Sequence, residues 1–171
     1  MRQKLSTFIF ICGPNGVGKS TVCKALHRKL THSAWLESEW CRMINPFVLN
    51  EETIPLTIGN ISGMLSSYLT CNWVDYVVFP YGFHGARQQI WTAVQRNLAE
   101  VPHRFIPITL TCSLQENTDR MKRDRRDAAR IQRALASRNL YDSLPYPTID
   151  STKLSVNETA DKVIAIVHEN T

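Results

Sequence analysis

Apolar residues along this chain follow two rhythms. Short apolar runs at Leu5–Cys12, Ala34–Leu36, Tyr76–Phe79, Arg104–Thr111 and Thr148–Asp150 read as strands. Between them, apolar positions recur at helical spacing. Val22, Leu26 and Leu30 follow Lys19; Ile58, Ile61, Leu65 and Leu69 form a second stripe; Ala86, Ile90, Val94 and Leu98 form a third. Ala160, Val163, Ile164 and Val167 form the last. A basic stretch from about Leu114 to Leu140 predicts a helix broken near Asp124–Asp127. Strands alternating with helices of this length predict βαβ units, an α/β fold and a mainly parallel sheet. Pro107 cannot donate to a ladder, so it predicts a bulge in the fourth strand.

Composition narrows the class. A length of 171 residues suits one domain, spanning 1–171, and 43% hydrophobic residues exclude a disordered chain. No apolar run approaches the roughly 18 residues of a membrane span. The Leu5–Cys12 run leads into Gly13-Pro14-Asn15 with no signal-peptide cleavage site, so the expected compartment is the cytoplasm. Cys12, Cys23, Cys41, Cys71 and Cys112 contain no C-x-x-C pair and read as reduced thiols.

The formal charge of +5 is concentrated in one place. Between Asp119 and Arg138 stand eight bases (Arg120, Lys122, Arg123, Arg125, Arg126, Arg130, Arg133, Arg138) against three acids, and the rest of the chain balances. Such a segment suits an anionic partner, either a nucleic acid or a phosphorylated small molecule, or else it is a solvated helix face.

The chemistry begins at Gly13-Pro14-Asn15-Gly16-Val17-Gly18-Lys19-Ser20, which matches G-x-x-x-x-G-K-[ST] at every fixed position. The glycines let the backbone turn and aim N–H groups at phosphate oxygens, and the next helix presents its positive end to the same anion. Lys19 suits the β- and γ-phosphates, and the Ser20 hydroxyl suits Mg²⁺. Pro14 has no N–H, so the donors come from residues 15 to 20, with Thr21 following.

This loop near the start of a small α/β chain resembles the P-loop nucleotide-kinase group. That group includes adenylate, shikimate and gluconate kinases and antibiotic O-phosphotransferases such as chloramphenicol phosphotransferase. Trp35-Leu36-Glu37-Ser38-Glu39-Trp40-Cys41 with Asn45-Pro46-Phe47 is similar to AAA-type kinase-like proteins, which often carry Asp-x-Asp here. The Arg-rich segment and Ile149-Asp150-Ser151-Thr152 extend the resemblance. It implies a five-stranded parallel sheet of order 2-3-1-4-5, helices on both faces, a short lid at about 123–130, and ATP with Mg²⁺.

Glu37 and Glu39 follow the second strand, and the carboxyl ends of strands line the ligand crevice in such sheets. The resemblance makes such an acid the group that orients the acceptor hydroxyl and takes its proton, or that supports Mg²⁺. Glu39, deeper into the loop, is the preferred metal or substrate ligand. A strand continuing through 39 puts both acids on one face, whereas a helix starting at Ser38 makes them diverge. No carboxylate follows Phe79 where many P-loop proteins place a metal-supporting Asp. Either the two glutamates supply it, or Ser20 and phosphate suffice, or activity is lost.

Tyr81, His84 and Arg87, at and beyond the exit of the third strand, are candidate acceptor contacts. By resemblance, Arg120 stacks on adenine, Ser151 and Thr152 touch its edge, and a lid arginine, Arg126 first, binds the transferring phosphoryl group. The expected function is an ATP-dependent phosphotransferase acting on a nucleoside, nucleotide, sugar acid or antibiotic, as monomer or homodimer, without a membrane. The alternatives are a non-catalytic ATP-binding regulatory or resistance protein and a nucleic-acid-directed ATPase or kinase. No basic–aromatic interleaving supports the last.

Overall fold

The computed structural model describes residues 5–170. Five parallel strands form one sheet of order β2-β3-β1-β4-β5. They are β1 (Thr7–Cys12), β2 (Ser33–Trp35), β3 (Tyr76–Tyr81), β4 (Arg104–Thr111) and β5 (Thr148–Asp150). The helices are α1 (Lys19–Lys29), α2 (Thr53–Leu69), α3 (Arg87–Leu98), α4 (Leu114–Arg123), α5 (Ala128–Ala136) and α6 (Val156–Glu169). Single 3₁₀ turns span Trp40–Arg42 and Arg138–Tyr141. The sheet order is the one the resemblance implies, and the basic stretch breaks between Arg123 and Ala128.

Alternation along β1 explains the two-sided core. Phe8 and Phe10 point toward α2 and α3, where Ile61, Leu65, Trp91 and Val94 bury them. Ile9 and Ile11 point the other way, onto Val22 and Leu26 of α1 and Val163 and Val167 of α6. Every residue of β1 is buried, as the central strand of a sheet covered on both faces must be. Phe10 stacks on Trp91 with ring centroids 4.1 Å apart and planes 10° off parallel. Each such side chain contributes roughly 1.5–3 kcal/mol on burial.

The predicted bulge at Pro107 is absent. β1 and β4 pair in unbroken register from Thr7↔Arg104 to Cys12↔Thr109, with Phe10 opposite Pro107. Backbone parity explains why. Arg104 N–H points toward β1, donating to Ser6 O, and Thr109 N–H points the other way, donating to Pro147 O. Pro107 therefore faces the β5 side, where β5 pairs only with residues 109–111. Pro80, inside β3, likewise faces the side of β2, beyond the last paired residue, Val78. A proline with no partner opposite costs no ladder bond.

Other boundaries move by a residue or two. Leu5 lies outside β1, half-exposed, and β3 runs on through Pro80 and Tyr81. Leu36 lies just beyond β2, although its N–H still reaches Val78 O. Among the described residues no helix is long and apolar enough to cross a membrane.

Candidate active site

The carboxyl ends of the strands open into one cleft of about 1530 Å³. A single drug-sized ligand occupies roughly 300–1,000 Å³, so this volume suits two ligands side by side. Every site residue expected from the sequence lines it except Gly13 and Thr152.

Gly13 sits beneath the loop. At φ +150° a Cβ on it would stand 2.2 Å from Leu110 O, so the loop packs on β4 through bare backbone. Gly16, at φ +80°, leaves no room for a Cβ against Met121 of α4. Helix α1 starts at Lys19 with Gly18 as its N-cap and no side-chain cap. Its first-turn N–H groups at Lys19, Ser20 and Thr21 therefore stay available to an anion.

Lys19 Nζ donates to Gly13 O and Pro14 O, each at 2.8 Å, folding back over its own loop. Burial, with Arg87 and Arg126 adding like charge, lowers its pKa to about 8. An ammonium in this state is under-solvated and short of anions.

Glu37 and Glu39 part company. The chain turns directly after Glu37, where Trp40 N–H donates to Glu37 O at 3.1 Å. Glu37 is half-buried: its Oε2 accepts from Ser20 Oγ at 3.1 Å and its Oε1 from Trp35 Nε1 at 3.0 Å. Burial raises its pKa above the usual carboxylate value, against these two hydrogen bonds. Glu39 is exposed and lies 3.5 Å from the Arg42 guanidinium.

Arg42 was not singled out in the sequence, because nothing in the spacing places it near the cleft. It is largely buried, stacks over Phe47 at 5.3 Å, and shares a small recess with Arg87, Tyr81, Leu49 and Ile90. Arg87 forms no ion pair among the described residues, and burial and the neighbouring Arg42 lower its pKa. The Tyr81 hydroxyl donates to Arg87 O at 3.1 Å, fixing the start of α3. His84, 3.4 Å from Asn15 Nδ2, is pushed down to about 4 by burial and by Arg87, Lys19 and Arg42. It is neutral at ordinary pH, and the surrounding field is positive.

On the far wall the Arg120 guanidinium spends four of its five N–H groups on the protein. It donates to Val17 O (2.8 Å), Ser151 O (2.9 Å), Ser151 Oγ (3.1 Å) and Glu116 (2.8 Å), and it lines the cleft. Thr152 instead bridges Asp150 and Ser113 N–H. Arg126, in the break between α4 and α5, lies 3.5 Å from Asp124 and lines the cleft with Arg123, Arg130 and Arg133. Arg138 does not line it. It donates to Asn117 Oδ1 and Cys112 O, each at 2.6 Å, and Asn117 Nδ2 donates to Asn15 O at 3.0 Å. Tyr141 accepts from Phe83 N–H at 2.8 Å. Asn117 and Tyr141 carry no motif; only their packing reveals them.

The model of the AAA domain family matches residues 9–141. Among curated proteins, the cytidylate kinase of Buchnera aphidicola subsp. Baizongia pistaciae (strain Bp) is 27% identical over 107 residues, 59% of this chain and 46% of that protein. The match thus spans about half the length of that relative. The fold is similar to Mycobacterium tuberculosis APS kinase in complex with AMPPNP and APS (TM-score 0.69, 16% identity, 96% of this chain and 98% of that one). It is also similar to Acinetobacter baumannii shikimate kinase in complex with shikimate (TM-score 0.67, 19%, 98% and 96%). A third likeness is the Deinococcus radiodurans tunicamycin resistance protein (TM-score 0.67, 20%, 95% of each).

Proposed function

The chain belongs to the AAA domain family, and from that premise we propose that it is a P-loop small-molecule kinase, transferring the γ-phosphate of ATP to an oxygen of a small anionic acceptor. The carrying observation is the 3.1 Å bond between the Ser20 hydroxyl and the Glu37 carboxylate, in a cleft that also holds Lys19 and Arg87. The loop thereby meets an acid of its own, although none follows β3.

Lys19 and the first-turn N–H groups of α1 bind the phosphates. Ser20 and Glu37 fit magnesium, which takes oxygen ligands and is usually held by one or two protein groups plus substrate phosphates. Held by these residues, the ion would supply positive charge to offset what develops on the phosphoryl group. Arg126 and its lid neighbours supply guanidinium donors to the same oxygens. The acceptor oxygen bonds to the γ-phosphorus as the bond to the β–γ bridging oxygen breaks, and ADP leaves. Where the acceptor is a hydroxyl, Glu37, in the cleft wall, takes its proton. Glu39 orients Arg42 instead. The nucleobase lies against Arg120, beside Ser151.

Arg42 and Arg87 make the acceptor an anion. Two guanidiniums in one recess, with a neighbouring histidine held neutral, favour a phosphate or carboxylate. The cytidylate kinase likeness agrees with an acceptor of this charge.

The test follows ADP formation from ATP and Mg²⁺ with nucleoside monophosphates, hydroxy acids, neutral nucleosides and neutral sugars. Anionic acceptors are expected to stimulate it. Arg87→Ala should raise the acceptor KM about 10- to 100-fold, the loss of a charged hydrogen bond, with the ATP KM within about twofold. Equal use of neutral acceptors, unchanged by Arg87→Ala, would overturn the acceptor reading. ATP binding with no transfer to any acceptor would make the protein a nucleotide binder.

A further inference from the structure

The role given to Glu37 leaves one neighbour unexplained. Trp35 does not line the cleft, yet its indole N–H is spent on a cleft residue, Glu37 Oε1 at 3.0 Å. Residues i and i+2 of an extended segment share a face, so the end of β2 sets the two side chains next to each other. The indole is itself held in place. His27 of α1 packs against it at 6.2 Å and Trp40 of the following 3₁₀ turn at 5.2 Å, while Leu36 N–H anchors the backbone to β3.

We infer that Trp35 is a positioning residue for Glu37; this rests on the role proposed for Glu37 above. A glutamate carboxylate swings on three rotatable bonds, so one hydrogen bond leaves its direction open and a second restraint is needed. Ser20 holds one oxygen and Trp35 the other. A carboxylate has about four lone-pair sites, and two remain open. The indole donor thus decides which way those two face. It restrains the long side chain and keeps the acid fixed before any ligand arrives. The substrate it serves is the metal–nucleotide complex, whose cation needs a pre-oriented oxygen ligand.

The experiment uses the full chain. Isothermal titration with ATP in a chelator, and then with Mg·ATP, separates binding of the phosphates from the gain in affinity due to the metal. Trp35→Phe keeps an aromatic ring and removes the donor. It should bind metal-free ATP within about twofold of the parent. The magnesium-dependent gain and the rate of ADP formation should each fall about 10- to 100-fold, as for losses of groups that orient metal ligands. Unchanged magnesium gain and unchanged turnover in Trp35→Phe would overturn the inference. So would an equal weakening with and without metal that tracks a lowered melting temperature, since that marks packing alone. If the phenyl ring does not pack, Trp35→Leu is judged by the same criteria. Glu37→Gln separates the two levels. If it keeps the magnesium gain, the role of Glu37 fails; if it loses the gain while Trp35→Phe keeps it, only the inference about Trp35 fails.

Discussion

Arg138 donates to Asn117 Oδ1 at 2.6 Å, and through that amide it holds the carbonyl of Asn15 in the phosphate loop. The 3₁₀ turn after α5 is thereby pinned to the loop. Asn117 is fully buried, so Asn117→Ala leaves a guanidinium and a carbonyl without their partner. The expected cost is about 1–3 kcal/mol, or roughly 2–4 °C of melting temperature per kcal/mol at this chain length. Because both residues act in one chain of bonds, Asn117→Ala with Arg138→Gln should cost clearly less than the two changes added. Urea denaturation of the single and double variants checks this; strict additivity would refute the coupling.

Gly13→Ala should be the most damaging single-methyl change in the loop. Its Cβ would meet a backbone oxygen of β4, which cannot rotate away as a side chain can. A loss of about 3 kcal/mol or more is expected from the clash and the strained φ together. A melting temperature within about 2 °C of the parent would show that β4 yields to the loop.

Nucleotide binding should take up a proton in alkaline solution. The free protein holds Lys19 at about 8, through burial first. A bound phosphate favours the charged form and lifts that value. Below pH 8 the ammonium is already formed, and affinity is insensitive to this group. Above it, each binding event must protonate Lys19, so the logarithm of the association constant falls by up to about one per pH unit. Titration calorimetry at pH 9 in two buffers of different ionisation enthalpy should give an uptake near one proton, and Lys19→Met should abolish it. Zero uptake at pH 9 would mean that Lys19 is fully charged before binding.

The phosphate loop, the parallel sheet and the break in the basic stretch were all legible because each has a local cause: a motif, an alternation of apolar runs, or paired aspartates; the strand order has none, and only the resemblance implied it. Pro107 was misread because strand parity depends on how far β5 extends, which is not a property of the residues around the proline. Asn117 and Tyr141 were silent because their partners lie on other elements, about a hundred positions away in the case of Asn15 and Asn117, and Arg42 because the recess it shares is completed by Tyr81 and Arg87. Glu37 and Glu39 were both visible, but the turn that separates them is made by the chain beyond them.

The proline inside β3 has a consequence for the mouth of the cleft. β2 stops after three residues, while β3 continues past its last pair at Val78 toward the cleft, where Pro80 stands in the wall. Just beyond that pair, Pro80 removes the N–H that a longer β2 would need. The step is thus chemically sealed, because neither β2 nor a stray peptide can gain that ladder bond. Pro107 does the same at the opposite end of the sheet, before the first β4–β5 pair at Thr109↔Thr148. The ground beyond β2 is kept for ligands, and a sequence change that replaced Pro80 would open a place for backbone where substrate now has room.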